Sequence, residues 1–263
     1  MTAGKNGPFG ILLDIDGVLY VGDEPIEGAH QALSELRELS GGVRLMTNTT
    51  SRSRRAVREH LLGMGFDVSL EEILTPAAMA ERHCRECEYA SVAVLVSDGL
   101  REDLAALESA TPGAHTDAVV LGDIGDRFTP EVLNGAFRAL MDGAELVALQ
   151  HNRYWRRADG LALDVGAYAA ALEYASGTEA VTVGKPARAF FQAAMADMGL
   201  ERGVMVGDDL EADVGGAMAA GLAGVLVRTG KYRRDALTAR VTPTAVVDSV
   251  KDVPSLLARI LPT

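Results

Sequence analysis

Two rhythms of apolar and polar positions alternate along this chain. The first apolar run, Phe9 to Leu13 in "FGILLDIDGVLY", is unbroken, as expected of a strand buried on both faces. It is followed by "IEGAHQALSELRELSGG", whose apolar residues recur at helical spacing and stop at a Gly-Gly pair. "VRLMT" reads as a second strand and "SRSRRAVREHLLGMG" as an amphipathic helix, with serine at its start and glycine at its end. After "ILTPAAMA" the pattern restarts. "SVAVLVSD", "DAVVLGD" and "ELVALQ" read as strands, and "LREDLAALES", "TPEVLNGAFRALMDG" and "VGAYAAALEYASG" as helices. A last stretch gives "AVTVGKP", a helix from Ala187 to Met198, "GVMVGDD", a helix ending at Gly221, and "AGVLVRTG". A short strand, "TAVVDS", and a final helix close the chain. Strands alternating with helices predict an α/β fold with a largely parallel sheet.

Polar residues of a particular kind stand where four of these strands end. The first strand ends in Asp14 and Asp16, followed by Gly17. Side chains two apart on a strand share a face, so both acids are expected to point the same way. Like charges in a poorly hydrated place repel, and burying either one is costly. A divalent cation is the first candidate to offset that cost. The second strand ends in Thr47 and Asn48, the third in Gly184, Lys185 and Pro186, and the fourth in Gly207, Asp208 and Asp209, with Asp213 a turn later. Ligands of open α/β sheets bind beyond the carboxyl ends of the strands. Several carboxylates, one lysine, a hydroxyl and neighbouring amides suit phosphoryl transfer. The cation gathers the acids, the lysine and amides hold phosphate oxygens, and a carboxylate can attack phosphorus directly. Taken singly, each element has a plain structural use. Asp-x-Asp-Gly makes turns, "TNTTS" caps helices, and "GDDLEAD" suits a helix N-terminus. Their joint order, with complementary charge, is what points to a site.

Of the 263 residues, 48% are hydrophobic, enough for one large or two moderate domains. No apolar run reaches the roughly 20 residues that would span a membrane, and "MTAGKNGPFG" has no secretion-signal pattern, so a cytoplasmic location is expected. The formal net charge of −12 disfavours nucleic acid and anionic membranes as partners. An anionic substrate then needs local positive charge, and the chain has only four lysines, Lys5, Lys185, Lys231 and Lys251. The two cysteines lie in "HCRECEY", as Cys84 and Cys87 after His83. Zinc calls for four ligands at suitable spacing and no second pair exists, so this reads as two thiols on one helical turn.

"DIDGVL", "TN", "GKP" and "GDDLEAD" are similar to the four motifs of the haloacid dehalogenase superfamily, in its phosphatase branch. The middle of the chain resembles the inserted cap of subfamily IIA. "DGLALDVGAYAAALEYASG", "VTVGKPARAFF" and "VMVGDDLEADVGGAMAAGLAGVLVRTGKYR" resemble the group containing phospholysine phosphohistidine inorganic pyrophosphate phosphatase and its hydrolase-domain-containing relatives. The resemblance implies a Rossmann-like parallel-sheet core over 1–78 and 182–263, with an α/β cap over 79–181 that sets specificity. It implies Mg²⁺ as cofactor. Asp14 would be nucleophile and metal ligand. Asp16 would protonate the leaving group and then activate water, while its backbone carbonyl binds the metal; Asp208 would be the third protein ligand. Thr47, Asn48 and Lys185 would hold the phosphoryl group, with Gly17, Asp209 and Asp213 in support. Which of Asp209 and Asp213 orients the metal shell and which orients Lys185 stays open.

To carry a proton, Asp16 needs a raised pKa, and desolvation beside Asp14 is expected to supply it. The phospholysine and phosphohistidine phosphatase of that group carries a serine at the place of Asp16. The departure favours an ordinary phosphate monoester here over P–N substrates or pyrophosphate. For recognition of that small substrate, the best cap candidate is "HNRYWRRADG", a loop with His151, Arg153, Tyr154, Trp155, Arg156 and Arg157. The rivals are a phosphotransferase or phosphomutase using the same aspartyl-phosphate and, from another class, a non-catalytic regulatory or binding protein on the same fold. The oligomeric state is left open, with a homodimer as the candidate assembly.

Overall fold

The structure is a computed structural model that describes residues 8–107, 115–157, 160–233 and 241–260. Contacts divide the chain into two compact units. The first comprises 1–47, 58–74 and 185–263, and the second 48–57 and 75–184. The sequence reading set its boundaries at 78/79 and 181/182. By contacts, the helix Pro76–Glu86, the strand Val181–Thr182 and the segment 48–57 all fall in the second unit.

In chain order, β1 (Gly10–Asp14) is followed by the small hairpin of β2 (Tyr20–Val21) and β3 (Glu24–Pro25), helix α1 (Ala29–Leu39), β4 (Gly42–Met46) and α2 (Arg54–Gly63). Then come β5 (Ile73–Leu74), α3 (Pro76–Glu86), β6 (Val92–Leu95), β7 (Ala118–Leu121), α4 (Pro130–Met141) and β8 (Glu145–Ala148). The hairpin of β9 (Tyr154–Arg157) and β10 (Gly160–Leu163) precedes α5 (Val165–Ser176) and β11 (Val181–Thr182). Helix α6 (Arg188–Ala196), β12 (Gly203–Gly207), α7 (Gly216–Ala219), β13 (Ala223–Val227), β14 (Ala245–Val247) and α8 (Val253–Ile260) complete the order.

The first unit is built on a six-stranded parallel sheet in the order β14-β13-β12-β1-β4-β5. β1 lies inside this sheet, flanked by β4 and β12, and all five of its residues are buried. That is why its sequence is an apolar run and not an alternation. Chain order reverses about β1, which makes its carboxyl end the natural crevice of the sheet. Helix α1 buries Ala29, Ala32, Leu33 and Leu36, the i, i+3, i+4, i+7 stripe that its sequence announces.

The second unit has its own parallel sheet, β11-β8-β7-β6. Its core gathers Val119, Leu121, Leu140, Leu146, Val165 and Leu172. Its helices start where short polar side chains can accept a free N–H: Thr75 Oγ1 from Ala78, Thr129 Oγ1 from Val132, and Asp164 Oδ1 from Val165. Proline follows both threonines at the first helical position.

Three expectations change. The helix expected over 100–109 is a tight 3-10 segment at Asp98–Leu104, burying only Leu100 and Leu104; residues 108 and 109 lie outside the described residues. Two apolar positions give too short a stripe for a full helix. The stretch read as the loop "HNRYWRRADG" is largely strand, pairing Tyr154 with Leu163 and Trp155 with Ala162 across an antiparallel hairpin. The strand before Lys185 pairs with β8 in the four-stranded sheet, not with the strands that carry the other motifs. No helix among the described residues is long and apolar enough to cross a membrane.

Candidate active site

Asp14 is the last residue of β1, at the carboxyl end of the six-stranded sheet. Asp208 follows β12, and Asp213 lies one turn further on, in a wide π-type turn over Leu210–Gly215. Lys185 opens the last segment of the first unit, and its peptide bond to Pro186 is cis. All four side chains are buried. Lys185 Nζ donates to Asp14 Oδ1 at 2.6 Å and stands 2.7 Å from Asp213 Oδ1, so one ammonium is clamped between two carboxylates. Asp14, Asp208 and Asp213 each offer a carboxylate oxygen within 4.8 Å of the others.

Burial governs the protonation of this group. Desolvation pushes the Asp14 carboxyl above its ordinary range, against the opposing pull of Lys185 and with help from Asp208. Desolvation likewise raises Asp208, although the Lys231 N–H donates to its Oδ2 at 2.6 Å. Asp213 is pushed up to about 6 by burial first and by Asp14 second. Burial works against the charge on Lys185, but Asp14 and Asp213 outweigh it and hold the ammonium's pKa above its ordinary value. Three carboxyls against one ammonium leave the cluster short of positive charge.

A divalent cation fits that shortage. Asp208 Oδ1 is buried without a hydrogen-bond partner, a costly state for an acceptor unless an ion fills it. The donors are all hard carboxylate oxygens, which suit Mg²⁺ or Ca²⁺ and not softer ions. The backbone leaves room for Asp208. Gly17 (φ 85°) and Gly230 (φ 58°) press against its Oδ2, and a Cβ at either would overlap that oxygen.

The remaining predicted residues fall in different places. Thr47 is buried just after β4, whose Met46 pairs with Asp14. Asn48 groups with the second unit, where a Cβ added to Gly184 would meet its Oδ1 at 2.8 Å. Asp209 is a cap, accepting from the N–H groups of Glu211 and Ala212 at 3.1 and 2.9 Å. Its own N–H donates to Asp213 Oδ2 at 3.1 Å. The structure therefore places Asp213 on Lys185 and Asp209 behind Asp213.

Asp16 does not share the buried face of Asp14. β1 stops at Asp14 and the chain turns, with Val18 and Leu19 N–H donating to Ile15 O and Gly17 N–H to Tyr20 O. Asp16 is exposed there, so the desolvation expected beside Asp14 is not supplied by the protein itself. In the second unit, His151 Nε2 is 3.3 Å from Glu173 Oε2, the Arg153 guanidinium sits 5.9 Å from the Tyr154 ring centre, and Tyr154 and Trp155 are exposed on β9. The side chains of Arg156 and Arg157 lie outside the described residues.

Reading motif by motif missed a fifth strand end. After β13, Thr229 Oγ1 donates to Gly17 O, Gly230 abuts Asp208, and Lys231 N–H binds Asp208. The signal was present as "RTGK" following an apolar strand.

Residues 11–109 match the family described as haloacid dehalogenase-like hydrolase, and residues 182–253 match a second family described as HAD-hydrolase-like. The chain is 43% identical over 225 residues to haloacid dehalogenase-like hydrolase domain-containing protein 2 of Bos taurus, covering 85% of both chains. The chain belongs to the haloacid dehalogenase-like hydrolase family. Another of these hydrolases, phospholysine phosphohistidine inorganic pyrophosphate phosphatase of Homo sapiens, is 37% identical over 260 residues, covering 95% of this chain and 94% of that one. Among solved structures, the hydrolase fold is similar to glycerol phosphate phosphatase of Mycobacterium tuberculosis in complex with magnesium, with TM-score 0.81 and 30% identity, covering 93% of this chain and 76% of that one. The same phosphatase has also been solved with calcium.

Proposed function

We propose that this hydrolase is a Mg²⁺-dependent phosphatase that cleaves a small phosphate monoester through an aspartyl-phosphate on Asp14. The observation that carries the proposal is the clamp of Lys185 between Asp14 and Asp213, beside the unpartnered oxygen of Asp208. Asp14 and Asp208, with the backbone carbonyl of Asp16, would hold the ion. Bound there, it offsets the crowded carboxylates and polarises phosphate oxygens.

The chain's own residues then do the following. Asp14 Oδ attacks phosphorus as the ester P–O bond breaks, and Asp16 delivers its proton to the departing alkoxide oxygen. Asp16, now a carboxylate, takes a proton from water whose oxygen attacks the phosphorus of the acyl phosphate. Inorganic phosphate leaves and Asp14 is regenerated. Lys185, Thr47 and Asn48 hold the phosphoryl oxygens. Asp213 positions Lys185, and Asp209 fixes the turn that carries Asp213. Because Asp16 is exposed in the protein alone, the bound substrate would be what excludes water around it. The second unit acts as the cap, with His151, Arg153, Tyr154 and Trp155 as its recognition residues.

One second reading has an observation behind it. A relative 37% identical over nearly the whole chain is named for P–N substrates and pyrophosphate. One experiment separates the readings: phosphate release from a panel of phosphate esters, pyrophosphate and phosphohistidine, with Mg²⁺ and with EDTA, for the wild type and Asp14→Asn. Metal-dependent release of monoester phosphate, absent from the variant, is the expected result. Faster turnover of phosphohistidine or pyrophosphate than of every ester would replace the substrate assignment. Release that persists in Asp14→Asn would overturn the mechanism.

A further inference from the structure

Asp16 is held differently from the other acids of the site. Asp14, Asp208 and Asp213 are buried, and each is ion-paired or hydrogen-bonded. The Asp16 side chain is exposed, and among the described residues it has no hydrogen-bond or ion-pair partner. Its position is therefore set by its backbone. That backbone belongs to a turn closed by the bonds from Val18 and Leu19 N–H to Ile15 O and from Gly17 N–H to Tyr20 O. Ile15, Val18 and Leu19 anchor the turn through fully buried side chains. Gly17, next to Asp16, has no side chain to anchor, and its φ of 85° is left-handed. It is tied instead from another strand end. Thr229, two residues after β13, donates its hydroxyl to Gly17 O. Gly230 lies against the same residue, so that a Cβ on Gly17 would stand 3.1 Å from Gly230 Cα. The tie is itself fixed. Tyr232 N–H donates to Thr229 O at 3.1 Å, and the Tyr232 side chain packs on Leu210, Val214 and Leu226. All of these residues belong to the first unit.

We propose that Thr229 is a positioning residue for Asp16, acting through the carbonyl of Gly17. The inference rests on the reading of Asp16 as the acid that protonates the departing oxygen. Glycine has the widest choice of backbone conformations, so the residue after Asp16 is where the turn would drift most easily. The Thr229 hydroxyl holds that residue's carbonyl, and with it the course of the chain on which Asp16 stands. The same loop holds Asp208 through Lys231 N–H, so the acid and Asp208 are registered on one three-residue frame. Loss of one neutral hydrogen bond of this kind loosens a segment by about 3- to 10-fold. The effect on rate is larger, because a proton donor misplaced by about 1 Å costs roughly 100-fold. It is also selective. An alkoxide needs the proton as its P–O bond breaks, whereas a nitrophenolate leaves without one. Thr229 thus matters for esters of ordinary alcohols and little for activated aryl esters.

The test measures single-turnover cleavage, in saturating Mg²⁺, of a series of phosphate esters running from p-nitrophenyl phosphate to a primary alkyl phosphate. Thr229→Val keeps the side chain's shape and removes the donor, and Thr229→Ser keeps the donor. Thr229→Val is expected to slow the alkyl ester about 10- to 100-fold and p-nitrophenyl phosphate by less than about threefold. Thr229→Ser should restore the wild-type profile. Asp16→Asn should show the same dependence on leaving group, more steeply, and Thr229→Val should add nothing further in that background. A second readout does not involve turnover: in the metal-free protein, amide exchange at Gly17, Val18 and Leu19 should quicken about 3- to 10-fold in Thr229→Val, with the β12 and β13 amides and the melting temperature unchanged. An equal loss across the ester series, failure of Thr229→Ser to restore the profile, or unchanged exchange at Gly17 would overturn the inference while leaving the phosphatase reading intact. A flat leaving-group profile in Asp16→Asn would overturn the proton-donor reading and this inference with it.

Discussion

The clamp around Lys185 leads to a counterintuitive dependence of stability on pH in the metal-free protein. Asp213 titrates at about 6 in the folded state and near its ordinary 3.8 when unfolded. Between these values the folded chain holds a proton that the unfolded chain has released. Stability is therefore fully present below about pH 4 and is lost as pH rises through about 6. At about 1.4 kcal/mol per pKa unit the loss is roughly 3 kcal/mol in all, of which about 1.4 kcal/mol falls between pH 5 and 7.5. Asp14 and Asp208 are raised as well and add in the same direction. The assay is native-state hydrogen exchange of β1 and β12 amides in EDTA at the two pH values. Intrinsic fluorescence would not serve, because the chain's one tryptophan, Trp155, lies in the second unit. Acidification also relieves general repulsion in a chain of net charge −12, but that contribution is shared by Asp213→Asn. Opening free energies of the wild type should fall by at least about 1.4 kcal/mol more than those of Asp213→Asn on going from pH 5 to 7.5. Saturating Mg²⁺ should remove the difference by holding the carboxylates ionised. Equal pH slopes in wild type and variant, without metal, would refute the reasoning.

Other consequences are open to measurement. Lys185→Met leaves Asp14 and Asp213 facing each other without an ammonium. It should cost about 3–5 kcal/mol in the metal-free protein by hydrogen exchange, and lower kcat on any accepted ester by about 100-fold or more with Mg²⁺ present. Gly17→Ala and Gly230→Ala should displace the Asp208 carboxylate and weaken Mg²⁺ binding about 10-fold or more by calorimetry, whereas Gly143→Ala, with no atom near its Cβ position, should leave metal affinity as it is. Arg153→Ala and Trp155→Ala should change KM unequally across a panel of phosphate esters, with the melting temperature and the Mg²⁺ dependence of kcat unchanged.

What could be read in the sequence, and what could not, divides along a physical line. Asp14, Lys185 and Asp208 are visible because each combines a residue type unsuited to burial with a position at the end of an apolar segment, and Asp213 because it repeats the acid one turn after Asp208. The fold brings their side chains together, although the strand before Lys185 belongs to the other sheet. The geometry of Asp16 was not visible. A two-residue periodicity holds only while the backbone stays extended, and the hydrogen bonds to Ile15 O bend the chain immediately after Asp14. The division of labour between Asp209 and Asp213 was hidden for a similar reason. A spacing of four says the two can neighbour each other, but only the turn over Leu210–Gly215 sends one to Lys185 and leaves the other as a cap. Pairing partners are equally absent from a local pattern. "AVTV" reads as a strand, yet nothing within it says that its neighbour is β8. The cysteine motif makes the same point from the opposite side. The motif by itself suggests only local neighbours for His83, whereas the fold sets its Nε2 2.6 Å from Oε2 of Glu145, 62 residues away. Functional groups that act through local backbone form can be inferred from spacing, but those that act through a tertiary neighbour need the fold before their chemistry can be stated.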